Sequence, residues 1–258
     1  GAGSPDAPKV LLWGDSHAMA AAPVLDDLGK EFGVTVYVAW NGGTPPIFGA
    51  RGGPSRGREE IGRAADERRM LDLLESTRFD AALFVARWPM YIEGHTSGRP
   101  NRDLLTEPGA GRPSTREEAA RLFLKHFPAT IAHLESRGAK VYVMQNVGMQ
   151  PVHVQLAFSQ TRKRGKRDIN DWALTLDEHR KRNAGVAKLL GLAVDGTGAV
   201  LLDPMPLFTD ERGIYLMAKD GEAFYSDTNH LSPAGARQLR PLLEPIFREA
   251  AGRTRTER

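Results

Sequence analysis

Apolar residues fall along this chain in two alternating rhythms: short unbroken runs, and longer stretches in which they recur every three or four positions. Residues 9–13 (KVLLW) and 34–40 (VTVYVAW) are runs of the first kind, the second rich in β-branched and aromatic side chains, and both predict buried strands. Between them, residues 17–30 carry apolar side chains at helical spacing, with Gly29 and Gly33 as stop signals. The alternation continues with an amphipathic helix over 59–76, a strand over 81–86 (AALFVA) and a helix over 114–137, opened by Ser114 and Glu117 in capping-box spacing. Residues 140–147 (KVYVMQNV) predict a fourth strand, 171–190 a helix, and 199–202 a fifth strand ending at Asp203. A last helix is expected over 232–250, with Pro233 in its first turn. Strands alternating with helices predict an α/β domain, a parallel sheet of about five strands covered on both faces by right-handed crossovers. Three stretches rich in Gly, Pro or charge interrupt the rhythm, at 41–58, 89–113 and 150–170; loops of this length are functional or mobile.

Composition narrows the class without naming a chemistry. With 258 residues, 41% hydrophobic and 26% charged, the chain is expected to fold as one globular domain over 9–251. Residues 1–8 read as a linker or cloning remnant, as at the junction of a longer protein, and 252–258 as a flexible tail. No apolar run approaches the roughly 20 residues that span a bilayer. The absence of cysteine excludes disulfides, thiolate metal sites and a Cys nucleophile. The 35 basic residues are nearly matched by 32 acidic ones, so a net charge of +3 does not predict nucleic-acid binding.

Candidate chemistry lies at the two ends. In Gly14-Asp15-Ser16-His17 a serine follows the first predicted strand and opens the first predicted helix. In open α/β sheets that point borders the ligand crevice, and a helix N-terminus favours developing negative charge. Ser16 is therefore a candidate nucleophile, and equally a helix cap, since caps favour Ser. Ala18 stands where the α/β-hydrolase elbow would have its second glycine. Near the other end, Asp227-Thr228-Asn229-His230-Leu231-Ser232 precedes the final helix. His230 can take a serine proton, and Asp227, three residues earlier, can turn back to hold the imidazole. Alternatively, Asp227 and Asn229 make turn hydrogen bonds while His230 or Ser232 caps the helix. The chain order Ser, Asp, His, each beside a strand end or helix start, favours the catalytic reading.

These two blocks, Gly-Asp-Ser and Asp-x-x-His, resemble those of the SGNH (GDSL-like) hydrolase superfamily. The element order is similar to that family's three-layer α/β/α flavodoxin-like fold. The resemblance implies Ser16 as nucleophile, His230 as base and Asp227 as acid. The family's usual Gly-x-Asn-Asp block after the third strand is replaced by Ala86-Arg87-Trp88-Pro89-Met90-Tyr91. That segment, with Leu-Trp-Gly-Asp-Ser-His and the Thr44-Pro45-Pro46 stretch, resembles the SGNH domains fused behind membrane acyltransferase-3 domains, which O-acylate bacterial surface polysaccharides. Many members of that branch carry Cys where this chain has Thr44. The resemblance implies O-acyl transfer, acetyl first, to a polysaccharide acceptor, with the donor delivered by a fused membrane acyltransferase domain and the domain on the periplasmic or extracytoplasmic face of the inner membrane. The alternative is a carbohydrate or lipid esterase, and the second alternative a non-catalytic glycan-binding module.

With the family's asparagine missing, the oxyanion donors are expected to be the Ser16 N–H, a backbone N–H at Gly42 or Gly43, Gly43 first, and Arg87; such a donor is typically worth about 3 kcal/mol. Arg87 reads equally as a structural ion pair or a stack on Trp88, and the glycines as turn residues. Trp88, Tyr91 and Asn229 are expected to contact substrate, and Trp40 is a further sugar-stacking candidate. His17 is expected to make a supporting hydrogen bond rather than act as base, and Asp203 to cap a loop rather than replace Asp227. The basic run at 161–168 (TRKRGKRD) is expected to be solvated. The remaining histidines, at 95, 126, 133, 153 and 179, lack ligand spacing, and neither a metal nor a cofactor is predicted.

Overall fold

Five runs of β-branched and apolar residues find partners in one another: β1 (Lys9–Gly14), β2 (Thr35–Trp40), β4 (Ala81–Val85), β6 (Lys140–Met144) and β7 (Val200–Leu202). In this computed structural model, which describes residues 6–53, 58–94, 103–163 and 168–256, they form a fully parallel sheet in the order β2-β1-β4-β6-β7. Helices α1 (Ser16–Phe32), α7 (Pro233–Gln238) and α8 (Arg240–Thr256) cover one face, around a core containing Val10, Leu12, Leu25, Leu243 and Phe247. On the other face lie α2 (Arg58–Ser76), α3 (Trp88–Ile92), α4 (Arg116–Ser136) and α6 (Leu176–Val194), around Leu11, Phe84, Phe123, Phe127 and Val143. This is the expected three-layer α/β/α arrangement. Its strand order reverses direction between β1 and β4, so the crevice of such sheets opens at the carboxyl ends of those two strands.

Several local expectations are corrected. Residues 34–40 were expected to be buried, but β2 is an edge strand, and Val38 and Trp40 are 41% and 49% exposed. The cap of α4 is Thr115 with Glu118, one residue beyond Ser114 and Glu117; the side chains reciprocate, Thr115 Oγ1 accepting the Glu118 N–H and Glu118 Oε2 the Thr115 N–H. A second capping box, Thr175 with Glu178, starts α6 later than the expected 171, after a separate 3₁₀ turn at Ile169–Trp172. The final helix is split at Leu239 into α7 and α8, and α8 continues to Thr256, into the stretch expected to be a tail.

The long loops are partly ordered against one another. β3 (Arg51–Gly52) and β5 (Leu105–Thr106) pair antiparallel, joining the first loop to the second. The third holds α5 (Val154–Lys163). A small hairpin of β8 (Ala218–Lys219) and β9 (Glu222–Ala223) precedes the Asp227 segment. Within the basic run, positions 164–167 lie outside the described residues, as do position 95 and residues 1–5. No helix among the described residues is long and apolar enough to cross a membrane.

Candidate active site

The first turn of α1 is capped by Asp15, not by Ser16. Asp15 has extended backbone, and its Oδ1 accepts the His17 N–H at 2.8 Å. The first N–H groups of a helix lack intrahelical partners, so this arrangement leaves the Ser16 N–H and its hydroxyl uncommitted to the cap. The other carboxylate oxygen of Asp15 accepts the Arg87 backbone N–H at 2.9 Å and the Tyr91 hydroxyl at 2.8 Å. Buried Asp15 thereby pins the segment after β4 to the turn after β1, across the point where strand order reverses. Nothing local in the sequence announces this bridge, because its partners lie 72 and 76 residues further along the chain.

The carboxy-terminal block folds as the turn that Asp and Asn favour, and it does more than turn. Asp227 Oδ1 accepts the N–H groups of Asn229 at 2.7 Å and His230 at 2.8 Å. Its Oδ2 lies 2.6 Å from His230 Nδ1, and His230 Nε2 lies 2.8 Å from Ser16 Oγ. Ser232 caps α7 by accepting the Gly235 N–H, which leaves His230 free of capping. The structure thus brings Ser16, His230 and Asp227 into one hydrogen-bonded line from residues 214 apart in the chain. With carboxylate on one side, the imidazole proton sits on Nδ1 and Nε2 accepts from the serine hydroxyl.

Burial opposes the charge on Asp227, but the N–H groups of His230 and Asn229 and the imidazole outweigh it and hold the carboxyl down at about 2. A folded value below the unfolded one, about 3.9, means that ionised Asp227 favours the folded state above that value. The contribution is lost as pH falls through about 2. Wild type is therefore expected to melt above Asp227→Asn near neutrality, with the gap closing as pH is taken from about 5 to about 2. A gap independent of pH in thermal melts would contradict this.

Arg87 sits beside this line, half-buried at the end of β4. It donates to the Met149 sulfur at 3.3 Å, its Nε has no partner, and among the described residues no carboxylate pairs with it. Burial pulls the guanidinium below its ordinary value, against the opposing pull of Asp15 and Asp227. It remains a cation with unspent donors. The ion-pair and Trp88-stacking readings do not describe it, because Trp88 is packed against Phe123 and Phe127.

Gly43 occupies the left-handed region at φ 67° in an exposed turn in which Thr44 N–H donates to Asn41 O at 3.1 Å; the Asn41 N–H in turn donates to Gly14 O. The turn alone requires a glycine there.

Three expected substrate contacts are corrected by burial. Trp88 is fully buried and donates its indole N–H to Met144 O at 2.8 Å. Tyr91 is fully buried on Asp15, and burial with that carboxylate raises its hydroxyl well above the ordinary value. Asn229 is buried with its amide bonded to His17 and Thr228. Each side chain spends its polar atoms inside the protein. Asp203 caps the turn after β7 by accepting the Met205 N–H, with Arg180 at 4.0 Å. His179, whose ring lies 4.2 Å from that of Tyr215 at a tilt of 50°, is held at about 4, chiefly by burial. No cluster of His, Asp and Glu able to hold a metal occurs among the described residues.

A family model described as "SGNH domain (fused to AT3 domains)" matches residues 1–245. No curated protein sequence matches the chain. Among solved structures, the periplasmic domain of a lipopolysaccharide acetyltransferase from Salmonella ser. Paratyphi A superposes with a TM-score of 0.58 at 14% identity, over 93% of this chain and 84% of that one. A Bacteroides fragilis protein assigned as an acylhydrolase has a TM-score of 0.48 at 10% identity, over 95% and 91% of the two chains. At these identities the likeness is one of fold.

Proposed function

Given that this chain belongs to the family of SGNH domains fused to AT3 domains, we propose that it transfers an acyl group, acetyl first, to a hydroxyl of a bacterial surface polysaccharide through an acyl-Ser16 ester. The observation that carries this reading is the continuous line from Asp227 Oδ2 through the His230 imidazole to Ser16 Oγ. Ser16 Oγ attacks the carbonyl carbon of the donor while its proton passes to His230 Nε2, and Asp227 stabilises the imidazolium. The tetrahedral oxyanion is met by the Ser16 N–H, by Arg87 and by the Gly43 N–H. Collapse expels the donor's leaving group, which takes the proton from His230. An acceptor hydroxyl then gives its proton to His230 and attacks the ester carbonyl, and as that adduct collapses the bond to Oγ breaks and His230 returns the proton to Ser16.

Trp40 suits the acceptor. Unlike Trp88 and Tyr91 it is open to solvent, on the wall of a cavity of about 460 Å³ that also touches Gly14 and Asn41. An exposed indole beside polar groups is the usual platform for the apolar face of a sugar ring. The family's fusion to AT3 domains supports a membrane partner that delivers the acyl donor, and the likeness to a Salmonella periplasmic domain supports a periplasmic location.

The test is to supply an activated acetyl ester and a surface polysaccharide, then measure acetyl on the glycan and free acetate. Ser16-dependent glycan acetylation is expected. Acetate release without glycan product would favour an esterase, and no Ser16-dependent chemistry would favour a glycan-binding module.

A further inference from the structure

The nucleophile and the base are joined a second time, one residue along from each. His17 follows Ser16, Asn229 precedes His230, both are buried, and His17 Nε2 lies 2.9 Å from Asn229 Oδ1. The amide is oriented by its own Nδ2, which donates to Thr228 Oγ1 at 3.1 Å. Its oxygen therefore faces the imidazole, and only a protonated Nε2 can satisfy it, so His17 is the donor. The His17 ring lies 4.9 Å from the His230 ring, inclined by 48°. Burial, with a smaller push from neighbouring His230, lowers the His17 pKa against the pull of Asp15 and Asn229, favouring a neutral ring.

The other ties of the 226–231 loop run within it or elsewhere. Asp227 bonds its own turn, Ser226 N–H donates to His230 O, and Thr228 O accepts the Gln150 N–H. Among the described residues, only two hydrogen bonds join this loop to α1: Ser16 with His230, and His17 with Asn229. The first cannot persist through a cycle, because Oγ carries no proton once it is esterified.

We propose that His17 and Asn229 are a positioning pair that keeps His230 in register over Ser16 while the acyl-enzyme lacks the serine-imidazole hydrogen bond. The pair serves the second half-reaction above all, when His230 must accept a proton from the incoming hydroxyl with no other described hydrogen bond fastening its loop to α1. This rests on the acyl-Ser16 reading above.

The experiment separates the two half-reactions with p-nitrophenyl acetate, the initial burst reporting acylation of Ser16 and the later steady rate reporting deacylation. His17→Phe, which keeps a ring and loses the donor, and Asn229→Ala are each expected to slow deacylation about tenfold or more, the order of one lost positioning hydrogen bond. Acylation should fall less. The double variant should be no slower than the slower single variant, since one bond is lost once. His17→Gln, which restores an N–H donor, should recover most of the rate. Thermal melts on every variant separate positioning from unfolding. Wild-type deacylation in His17→Phe and Asn229→Ala, or equal slowing of both steps that tracks lost folded protein, would overturn the proposal. A burst that survives in Ser16→Ala would instead overturn the nucleophile reading beneath it.

Discussion

Ser16→Ala is expected to lower acyl turnover by at least about 10⁴-fold while leaving the melting temperature unchanged. Both halves of that expectation come from the first turn of α1. Because Asp15 rather than Ser16 accepts the His17 N–H, the serine hydroxyl contributes no cap. Loss of a true capping serine would cost about 1 kcal/mol. The hydroxyl's one described partner is His230 Nε2, so its removal takes away the proposed nucleophile and that one hydrogen bond. His230→Ala should cost a comparable factor, and the double variant no more than either, since the two groups act as a unit. Multiplying losses in the double variant, measured as kcat/KM on an activated ester, would mean that the two residues work independently.

Gly14→Ala is expected to have the largest effect on stability. A Cβ at Gly14 would stand 1.7 Å from the Val85 carbonyl oxygen and 2.8 Å from Ala18 Cβ. The first obstacle is backbone of the neighbouring central strand, paired in register at Gly14 and Val85, so no side-chain rotation relieves it. Overpacking of a core by a single group costs typically 1–3 kcal/mol, and an overlap with sheet backbone should exceed about 3 kcal/mol. What yields must be the β1–β4 pairing or the start of α1, and either movement displaces Ser16. A denaturant melt of Gly14→Ala matching wild type would show that the strands are not packed this closely.

The sheet was legible because its strands are short runs of β-branched and apolar residues bounded by glycine or polar turns, as in 9–13 and 81–86. What lay outside those runs was set by partners remote in sequence. Nothing local to residues 34–40 says that β2 will have a neighbour on one side only. The β3 and β5 strands, two residues each, are too short to carry a period and exist because two loops meet. At α4, Ser114-Thr115 followed by Glu117-Glu118 fits a capping box in two registers, and Ser114 is the one that is buried. That Ser16, Asp227 and His230 meet in one hydrogen-bonded line was legible because few side chains suit proton transfer, and their surrounding turns follow ordinary Ser, Asp and Asn preferences. Trp88 and Tyr91 were misread for the opposite reason. An aromatic residue past a strand end has the same appearance whether it faces the crevice or the core, and here Asp15 and Met144 O draw their polar tips inward. Asp15 itself carried a signal, a strong capping residue directly before the serine, which the neighbouring Ser obscured.

Acyl-Ser16 formation is tested most directly by quenching the protein soon after mixing with p-nitrophenyl acetate and locating the acetyl group by peptide mass analysis. One acetyl group is expected, on the peptide containing Ser16, appearing with the burst and removed by hydroxylamine. Acetyl found on another residue, or turnover with no acetyl-protein at any time, would contradict it.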